Sequence, residues 1–121
     1  MKILAVGRNY AAHAAELQNG VPDSPVIFMK PETALLQHGG PFAYPSFSQN
    51  VQHEAELVLH ISQSGKAIEQ ATAHEHYDQL TLGIDFTARD VQQELKQRQV
   101  SWELAKGFDG SAPVGTFQPV S

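Results

Sequence analysis

The segment QHEAELVLHI, residues 52–61, alternates its side chains with the two-residue period of a β-strand. Its apolar face carries Ala55, Leu57, Leu59 and Ile61. Its other face carries Glu54, Glu56, Val58 and His60. No lysine or arginine lies within the segment to balance the two neighbouring carboxylates. The segment therefore predicts a strand with one apolar and one anionic face, and the anionic face requires positive charge from elsewhere.

Glu54 and Glu56 can point at one place, because residues two apart on a strand share a face with Cα atoms about 6.5 Å apart. Two carboxylates about 4 Å apart repel by a few kcal/mol at a surface-like dielectric. A shared divalent cation would reverse that repulsion, since hard cations such as Mg²⁺, Mn²⁺ and Ca²⁺ prefer oxygen ligands. The alternative is a sheet with one solvent-facing polar side, which is the commoner arrangement when the pair is taken alone.

Asp85 adds a third acidic group to this pattern. It lies within TLGIDF, residues 81–86, which is typical of a strand, although aspartate is depleted in strands. Asp85 could face solvent or the following turn, or it could complete a Glu-x-Glu plus Asp metal site from a neighbouring strand. The spacing leaves both interpretations open.

The rest of the chain predicts short strands, irregular loops and a few helices. Three more strands are expected over 3–6, 26–30 and 81–86, and another begins near 116. Helices are expected over 10–18 behind an Asn9 cap, over 69–79, and from a capping box at 87–90 to about 99. A hairpin turn is expected at 63–66, a glycine-rich loop at 105–115, and an irregular segment at 31–50 with one strand near Phe42. These elements predict a β-rich α+β fold.

Composition narrows the class of protein. The 121 residues, 41% hydrophobic and 17% charged, suit one modest globular domain. A formal net charge of −5 argues against nucleic-acid or anionic-membrane partners. The absence of cysteine excludes disulfides, Cys-based zinc sites and Cys nucleophiles, and it suits a reducing compartment. The apolar run at 3–6 is too short for a signal peptide, and no segment approaches a membrane span. We expect a cytoplasmic, soluble protein.

Other polar residues could take part in chemistry. His13 and Glu16 stand three apart on a predicted helix and so share a face. An arbitrary His-x-x-Glu is usually a surface pair, but here Glu16 could orient His13 as a base that takes a proton from water. Arg89 and Gln92 have the same spacing. Lys30, Lys106 and Arg89 are residue types that are usually solvated, although together they could hold an anionic substrate beside a metal.

Five segments, taken in order, resemble the fumarylacetoacetate hydrolase family, and in particular its short acylpyruvate hydrolases and oxaloacetate decarboxylases. They are GRNYAAHAAEL (7–17), PVIFMKPETAL (25–35), HEAELVLHI (53–61), GIDFTARDVQ (83–92) and WELAKGFDGSAPVG (102–115). The resemblance extends over essentially the whole chain. It implies a mixed β-sheet rolled into a jelly-roll-like barrel, a homodimer, and a bound Mg²⁺, Mn²⁺ or, in some members, Ca²⁺.

The resemblance also implies roles for individual residues. The metal ligands would be Glu54, Glu56 and Asp85. The catalytic groups would be His13, Glu16 and Lys106, and the substrate-binding groups would be Arg89, Gln92 and Lys30. Family members continue beyond the equivalent of Ser121, so residues 1–121 are expected to be the N-terminal part of a single catalytic domain.

The implied reaction is metal-dependent hydrolysis of a carbon–carbon bond in an acylpyruvate-type 1,3-dicarbonyl acid. In it, His13 would deprotonate the attacking water, and Lys106 and Arg89 would stabilise developing negative charge. Two alternatives remain. The same site could decarboxylate oxaloacetate, or isomerise or decarboxylate the hydroxydienedioates of aromatic catabolism. The chain alone could instead be an inactive fragment that needs a partner chain.

Overall fold

The structure, a computed structural model, describes residues 1–18, 20, 22–36 and 39–120. In chain order the elements are β1 (Ile3–Gly7), α1 (Ala11–Glu16), β2 (Val26–Lys30), a 3₁₀ turn (Glu32–Ala34), β3 (Leu35–Leu36), β4 (Val51–Ile61), a second 3₁₀ turn (Gln70–His76), β5 (Tyr77–Ala88), α2 (Arg89–Gln97), α3 (Glu103–Lys106), β6 (Ala112–Pro113) and β7 (Gln118–Pro119). The predicted β-rich α+β class is confirmed.

The long strands β4 and β5 form the central antiparallel pair, and β7 joins the free edge of β5. The register of this pair places Glu54 directly opposite Asp85. β1 and β2 form a separate antiparallel pair, and β3 pairs with β6 in parallel. The described residues thus form three separate sheets and no closed barrel.

The central sheet is packed on its acidic side. Leu57 and Leu82, partners across β4 and β5, are 57% and 73% exposed. On the opposite face Glu54 is partly buried and Asp85 is buried, because side chains from α2 and α3 lie against them. The solvent-facing polar side considered above is therefore not what forms. The polar face is the covered face.

The interior next to this sheet is built from small and charged residues. The buried apolar residues are mostly alanines: Ala14, Ala34, Ala88, Leu95, Ala105 and Ala112. Among the buried polar and charged residues are Lys30, Asp85, Arg89 and Lys106. Charged side chains are almost never fully buried unless they are paired. The stability of this interior therefore depends on ion pairs between the buried lysines and arginine and the carboxylates.

Several predicted elements differ from the structure. The capping box at 87–90 is wrong: α2 begins at Arg89, and the Thr87 hydroxyl is buried as an acceptor for Lys106 Nζ at 2.6 Å. The helix predicted over 69–79 is a 3₁₀ turn that leads into β5. No strand forms at Phe42, whose ring instead stacks on Phe86 with 4.1 Å between centroids.

Other expectations were closer. The helix predicted over 10–18 forms as α1, but Tyr10 rather than Asn9 precedes it, and no side chain caps it. β4 and β5 are antiparallel partners, but they are joined by residues 62–76, so 63–66 do not make a tight hairpin turn. The strand expected near 116 is the short β7.

Candidate active site

Three carboxylates converge on the covered face of the central sheet. Glu54, Glu56 and Asp85 each offer one oxygen, and these oxygens lie within 4.8 Å of one another. The two-residue period of β4 puts the glutamates on one face, and the register with β5 brings Asp85 against them. The structure therefore brings together the three residues that the sequence grouped as metal ligands.

Lys106 neutralises two of these carboxylates. Its Nζ lies 3.0 Å from Glu54 Oε2 and 2.6 Å from Asp85 Oδ2, and it donates a hydrogen bond to Thr87 Oγ1 at 2.6 Å. α3 delivers this buried side chain, and the Phe28 ring lies 5.2 Å from its Nζ. Lys106 is thus fixed beside the acids, where an ammonium can stabilise negative charge that develops on a substrate.

Lys30 holds the other oxygen of Asp85. Its Nζ lies 2.8 Å from Asp85 Oδ1 and donates hydrogen bonds to the carbonyl oxygens of Phe86 (3.3 Å), Ser111 (3.1 Å) and Lys106. The side chain is only 2% exposed. Burial lowers the pKa of Lys30, and the Asp85 charge opposes that shift. Lys30 therefore faces the protein interior, and its predicted substrate contact remains a prediction.

Arg89 uses its guanidinium fork within the protein. Its Nη2 donates to Glu54 Oε1 at 2.6 Å, its Nη1 to Gln92 Oε1 at 2.7 Å, and its Nε to Gln52 Oε1 at 3.0 Å. Gln52 was not singled out in the sequence. The signal that could have found it is the strand period, which places Gln52 on the same face as Glu54. Arg89 and Gln92 were predicted to bind substrate, and here they also fix the orientation of the Glu54 carboxylate.

The charges around the two glutamates shift their pKa values in opposite directions. Burial alone would raise the pKa of Glu54, but the Lys106 charge and the hydrogen bond from Arg89 outweigh it and hold that pKa at about 2. Burial raises the pKa of Glu56, and the charges of Asp85 and Glu54 raise it further. Glu56 is therefore the carboxylate whose charge is least balanced.

The site fits a hard divalent cation. Asp85 Oδ1 is buried and, among the described residues, accepts no hydrogen bond, since Lys30 Nζ lies beside it outside hydrogen-bonding geometry. Buried polar atoms normally have such a partner. Among the described residues, Glu56 forms no ion pair, although the Lys106 charge acts on it from a distance. Three carboxylates that each bring an oxygen within 4.8 Å of the others form the kind of donor set that Mg²⁺ and Mn²⁺ select.

His13 lies at the edge of this cluster. Its Nε2 is 3.3 Å from Glu54 Oε1, and its Nδ1 is 3.7 Å from Glu16 Oε2, which is beyond hydrogen-bonding distance. Glu16 is 76% exposed. The structure therefore places the His13 imidazole beside Glu54, where it could accept a proton, and places Glu16 on the exposed side of His13.

A small cavity of about 30 Å³ connects these groups. Among the predicted residues it is lined by His13, Glu54, Arg89, Gln92 and Lys106. Arg8, Lys96 and Trp102 also line it, and they were not among the predicted site residues. Lys30, Glu16, Glu56 and Asp85 lie outside the lining.

Comparison with known proteins defines the class. The fumarylacetoacetate (FAA) hydrolase C-terminal family model matches residues 2–120. The chain belongs to the fumarylacetoacetate hydrolase family.

Individual relatives have related activities in their names. Over 117 residues the chain is 42% identical to the mitochondrial oxaloacetate tautomerase FAHD1 of Bos taurus, covering 97% of this chain and 53% of that protein. Over 119 residues it is 41% identical to the mitochondrial oxaloacetate decarboxylase of Dictyostelium discoideum, covering 98% and 55%. The crystal structure of fumarylpyruvate hydrolase from Pseudomonas aeruginosa, in complex with Mn²⁺ and pyruvate, superimposes with a TM-score of 0.93 at 37% identity, covering 98% of this chain and 53% of that one.

The chain spans about half the length of these relatives. The names of the two oxaloacetate enzymes place those proteins in mitochondria, so the cytoplasmic location expected for this chain stays a prediction. In the described part of the chain, no helix has the length and apolar character needed to span a membrane.

Proposed function

We propose that the protein carrying this chain is a divalent-metal-dependent enzyme that hydrolyses a carbon–carbon bond in acylpyruvate-type 1,3-dicarbonyl acids. The observation that carries this proposal is the convergence of Glu54, Glu56 and Asp85, with His13 Nε2 lying 3.3 Å from Glu54. This puts a candidate cation site and a candidate proton acceptor within one small volume. The fumarylpyruvate hydrolase neighbour, with its Mn²⁺ and pyruvate, supports this reaction and this class of ion.

Glu54, Glu56 and Asp85 would hold Mg²⁺ or Mn²⁺, and Ca²⁺ is a further candidate. When bound, such an ion supplies a Lewis acid that polarises the oxo group of the substrate. The Arg89 hydrogen bond keeps the Glu54 carboxylate in one orientation, and ligands fixed in this way hold an ion more tightly. Gln92 and Arg89 line the cavity, where they would contact the substrate.

His13 would act as the general base, with Glu16 orienting it once the two side chains come within hydrogen-bonding distance. It takes a proton from water, and the resulting hydroxide bonds to the acyl carbonyl carbon. The carbon–carbon bond then breaks, and its electron pair leaves with the pyruvate portion as an enolate, which takes up a proton. Lys106 stabilises the negative charge during this step, because its ammonium is fixed and shielded from water.

A second candidate function is tautomerisation or decarboxylation of oxaloacetate. The named oxaloacetate enzymes, at 41–42% identity across nearly the whole chain, favour it. Tautomerisation needs only a base and acid to move a proton from carbon to oxygen, and decarboxylation needs stabilised enolate charge. Neither reaction needs an attacking water, so the two candidates differ in what they require of His13.

The test compares fumarylpyruvate hydrolysis with oxaloacetate turnover in the intact protein, with Mn²⁺ present, for wild type and His13→Gln. Loss of a general base lowers the rate by about 10²–10⁴-fold. We expect that loss for fumarylpyruvate and a smaller one for oxaloacetate decarboxylation. His74→Gln, on an exposed side chain, is the control. Unchanged hydrolysis in His13→Gln, or no turnover of fumarylpyruvate by wild type, contradicts the hydrolase assignment.

The assembly is part of the proposal as well. We expect a homodimer, and the alternative to an active chain is an inactive fragment that needs a partner chain. Sedimentation of the purified protein, with activity measured across the dissociation range, tests both expectations. A fully active monomer contradicts them.

A further inference from the structure

Arg8 has an unusual backbone conformation at the cavity. It follows β1 directly and adopts a left-handed φ of 57°. Gln18, Ala67 and Gln99 also have positive φ, but Gln18 and Gln99 lie just past the ends of α1 and α2, where this conformation is common, and Ala67 is exposed. Arg8 alone among the four lines the cavity. Strained residues of this kind persist where the surroundings fix them, often at ligand sites.

The Arg8 guanidinium has unused hydrogen-bonding capacity. Its Nε is buried and has no acceptor among the described residues. In the same part of the chain, no carboxylate forms an ion pair with it. Glu54, the acid that lines the cavity together with Arg8, is already engaged by Lys106 and Arg89. The acceptor that Arg8 lacks is therefore not supplied by the acidic cluster.

Lys96 adds a second cation on the same wall. Its Nζ lies 5.3 Å from the Trp102 ring, and both residues line the cavity. Burial lowers the pKa of Lys96, and the positive charges of Arg8 and Arg89 lower it further. Lys96 is thus close enough to Arg8 to be repelled by it. Two neighbouring cations attract an anion.

We infer that Arg8 binds a second carboxylate of the substrate and makes the site selective for 2-oxo acids with two carboxylates. This inference rests on the proposed function, in which the 2-oxo acid end of the substrate lies by the three acids. A guanidinium fork can grip a carboxylate with two parallel hydrogen bonds, and a neutral substituent in its place leaves those donors unpaired. Lys96 supports the same carboxylate through its charge.

The test uses two ligands that differ only at that carboxylate. 2-Oxoglutarate is a dianion, and 2-oxovalerate has a methyl group where 2-oxoglutarate has its second carboxylate. Neither contains the 1,3-dicarbonyl unit, so neither is cleaved while calorimetry measures binding to the intact protein with Mn²⁺. The variants are Arg8→Gln and Arg8→Gly, the second because glycine accepts positive φ without strain. Arg98→Gln is the matched control, since Arg98 is 63% exposed.

We expect wild type and Arg98→Gln to prefer 2-oxoglutarate, and both Arg8 variants to lose about 10- to 100-fold of that preference, as for a lost charged hydrogen bond. Affinity for 2-oxovalerate should stay within about threefold. If wild type binds both ligands and the Arg8 variants weaken both equally, or keep the preference, the role of Arg8 is overturned and the proposed function stands. If wild type takes up Mn²⁺ but binds neither ligand, the proposed function falls together with the inference.

Discussion

Lys106 Nζ lies 2.6 Å from Asp85 Oδ2, with both side chains almost wholly buried. Lys30 Nζ lies 2.8 Å from the other oxygen of the same carboxylate. Asp85 therefore balances two buried ammonium groups at once. An ammonium group that is buried without a partner lowers the stability of a protein by several kcal/mol. The Asp85 carboxylate should therefore contribute strongly to the free energy of unfolding.

Asp85→Asn is expected to lower the free energy of unfolding by about 3–5 kcal/mol, the range found when one member of a buried ion pair is removed. Urea denaturation of the intact protein measures it. Asp109→Asn, at an exposed position, should change stability by less than about 0.5 kcal/mol.

A double-mutant cycle identifies the cause. Lys30→Met removes one of the two ammonium groups, so adding it to Asp85→Asn should cost much less than Lys30→Met alone. Simple additivity of the two losses would show that Asp85 and Lys30 do not act as a pair. It would also leave Lys30 available for the substrate contact predicted from the family resemblance.

Arg89→Lys is expected to weaken Mn²⁺ binding by about 10- to 100-fold, the usual loss when a residue that orients a metal ligand is changed. A lysine keeps the charge but cannot donate to Glu54, Gln92 and Gln52 together from a planar fork. Calorimetric titration with Mn²⁺ measures the affinity, with Arg98→Lys as the control. Unchanged Mn²⁺ affinity with weaker substrate binding would show that Arg89 serves the substrate alone.

Asp90 makes the stability of the fold depend on pH, and it does so independently of Glu54, Glu56 and Asp85. Its carboxylate accepts hydrogen bonds from Ser48 Oγ at 2.6 Å, Gln49 N at 2.8 Å and Val91 N at 2.9 Å. The hydrogen bond from Ser48, then that from Gln49, lowers the pKa of Asp90 in the folded protein. A lowered pKa stabilises the fold above the unfolded value of about 4, and that contribution is lost as pH falls through the folded value.

Asp90→Asn should therefore destabilise the protein by about 1 kcal/mol at pH 7, as for a weakened hydrogen bond to a charged group. The difference from wild type should shrink as pH falls below about 4. Urea denaturation at a series of pH values measures it, with Asp23→Asn as an exposed control. A difference that is the same at pH 7 and pH 3 would mean that the Asp90 charge contributes nothing.

Gly83 lies opposite Glu56 in the β4–β5 register. A Cβ there would come within 2.7 Å of Val58 Cγ2 and 3.1 Å of the Pro113 carbonyl oxygen. Gly83→Ala should cost about 1–3 kcal/mol through overpacking against Val58 and the Pro113 carbonyl. Gly20→Ala, where an added Cβ meets nothing within 4 Å, is the matched control. Equal melting temperatures for the two variants would contradict the close approach.

The sequence predicted the parts of the fold that local pattern determines. The period of β4 and the short apolar runs of β1 and β2 were sufficient to place those strands, and the same period put Glu54 and Glu56 on one face. The convergence of Asp85 needed the register between β4 and β5, which spacing alone left open and the family resemblance supplied.

Tertiary contacts decided the rest. Thr87 has the sequence of a helix cap, yet its hydroxyl accepts from Lys106, which is 19 residues away along the chain. Lys30 and Arg89 are residue types usually found on the surface, and only the folded arrangement shows them buried against carboxylates. Arg8 was not predicted as a site residue, because a positive backbone φ at an arginine has no recognisable pattern in a single sequence.

The exposed side chains of Leu57 and Leu82 affect the solubility of the purified chain. They sit side by side on the outer face of the central sheet and are largely in contact with water. Attraction between such surfaces strengthens on warming, so concentrated preparations should turn cloudy when heated gently and clear on ice. Cold storage at low concentration, with a trace of mild detergent, is the regime in which the purified chain should keep longest.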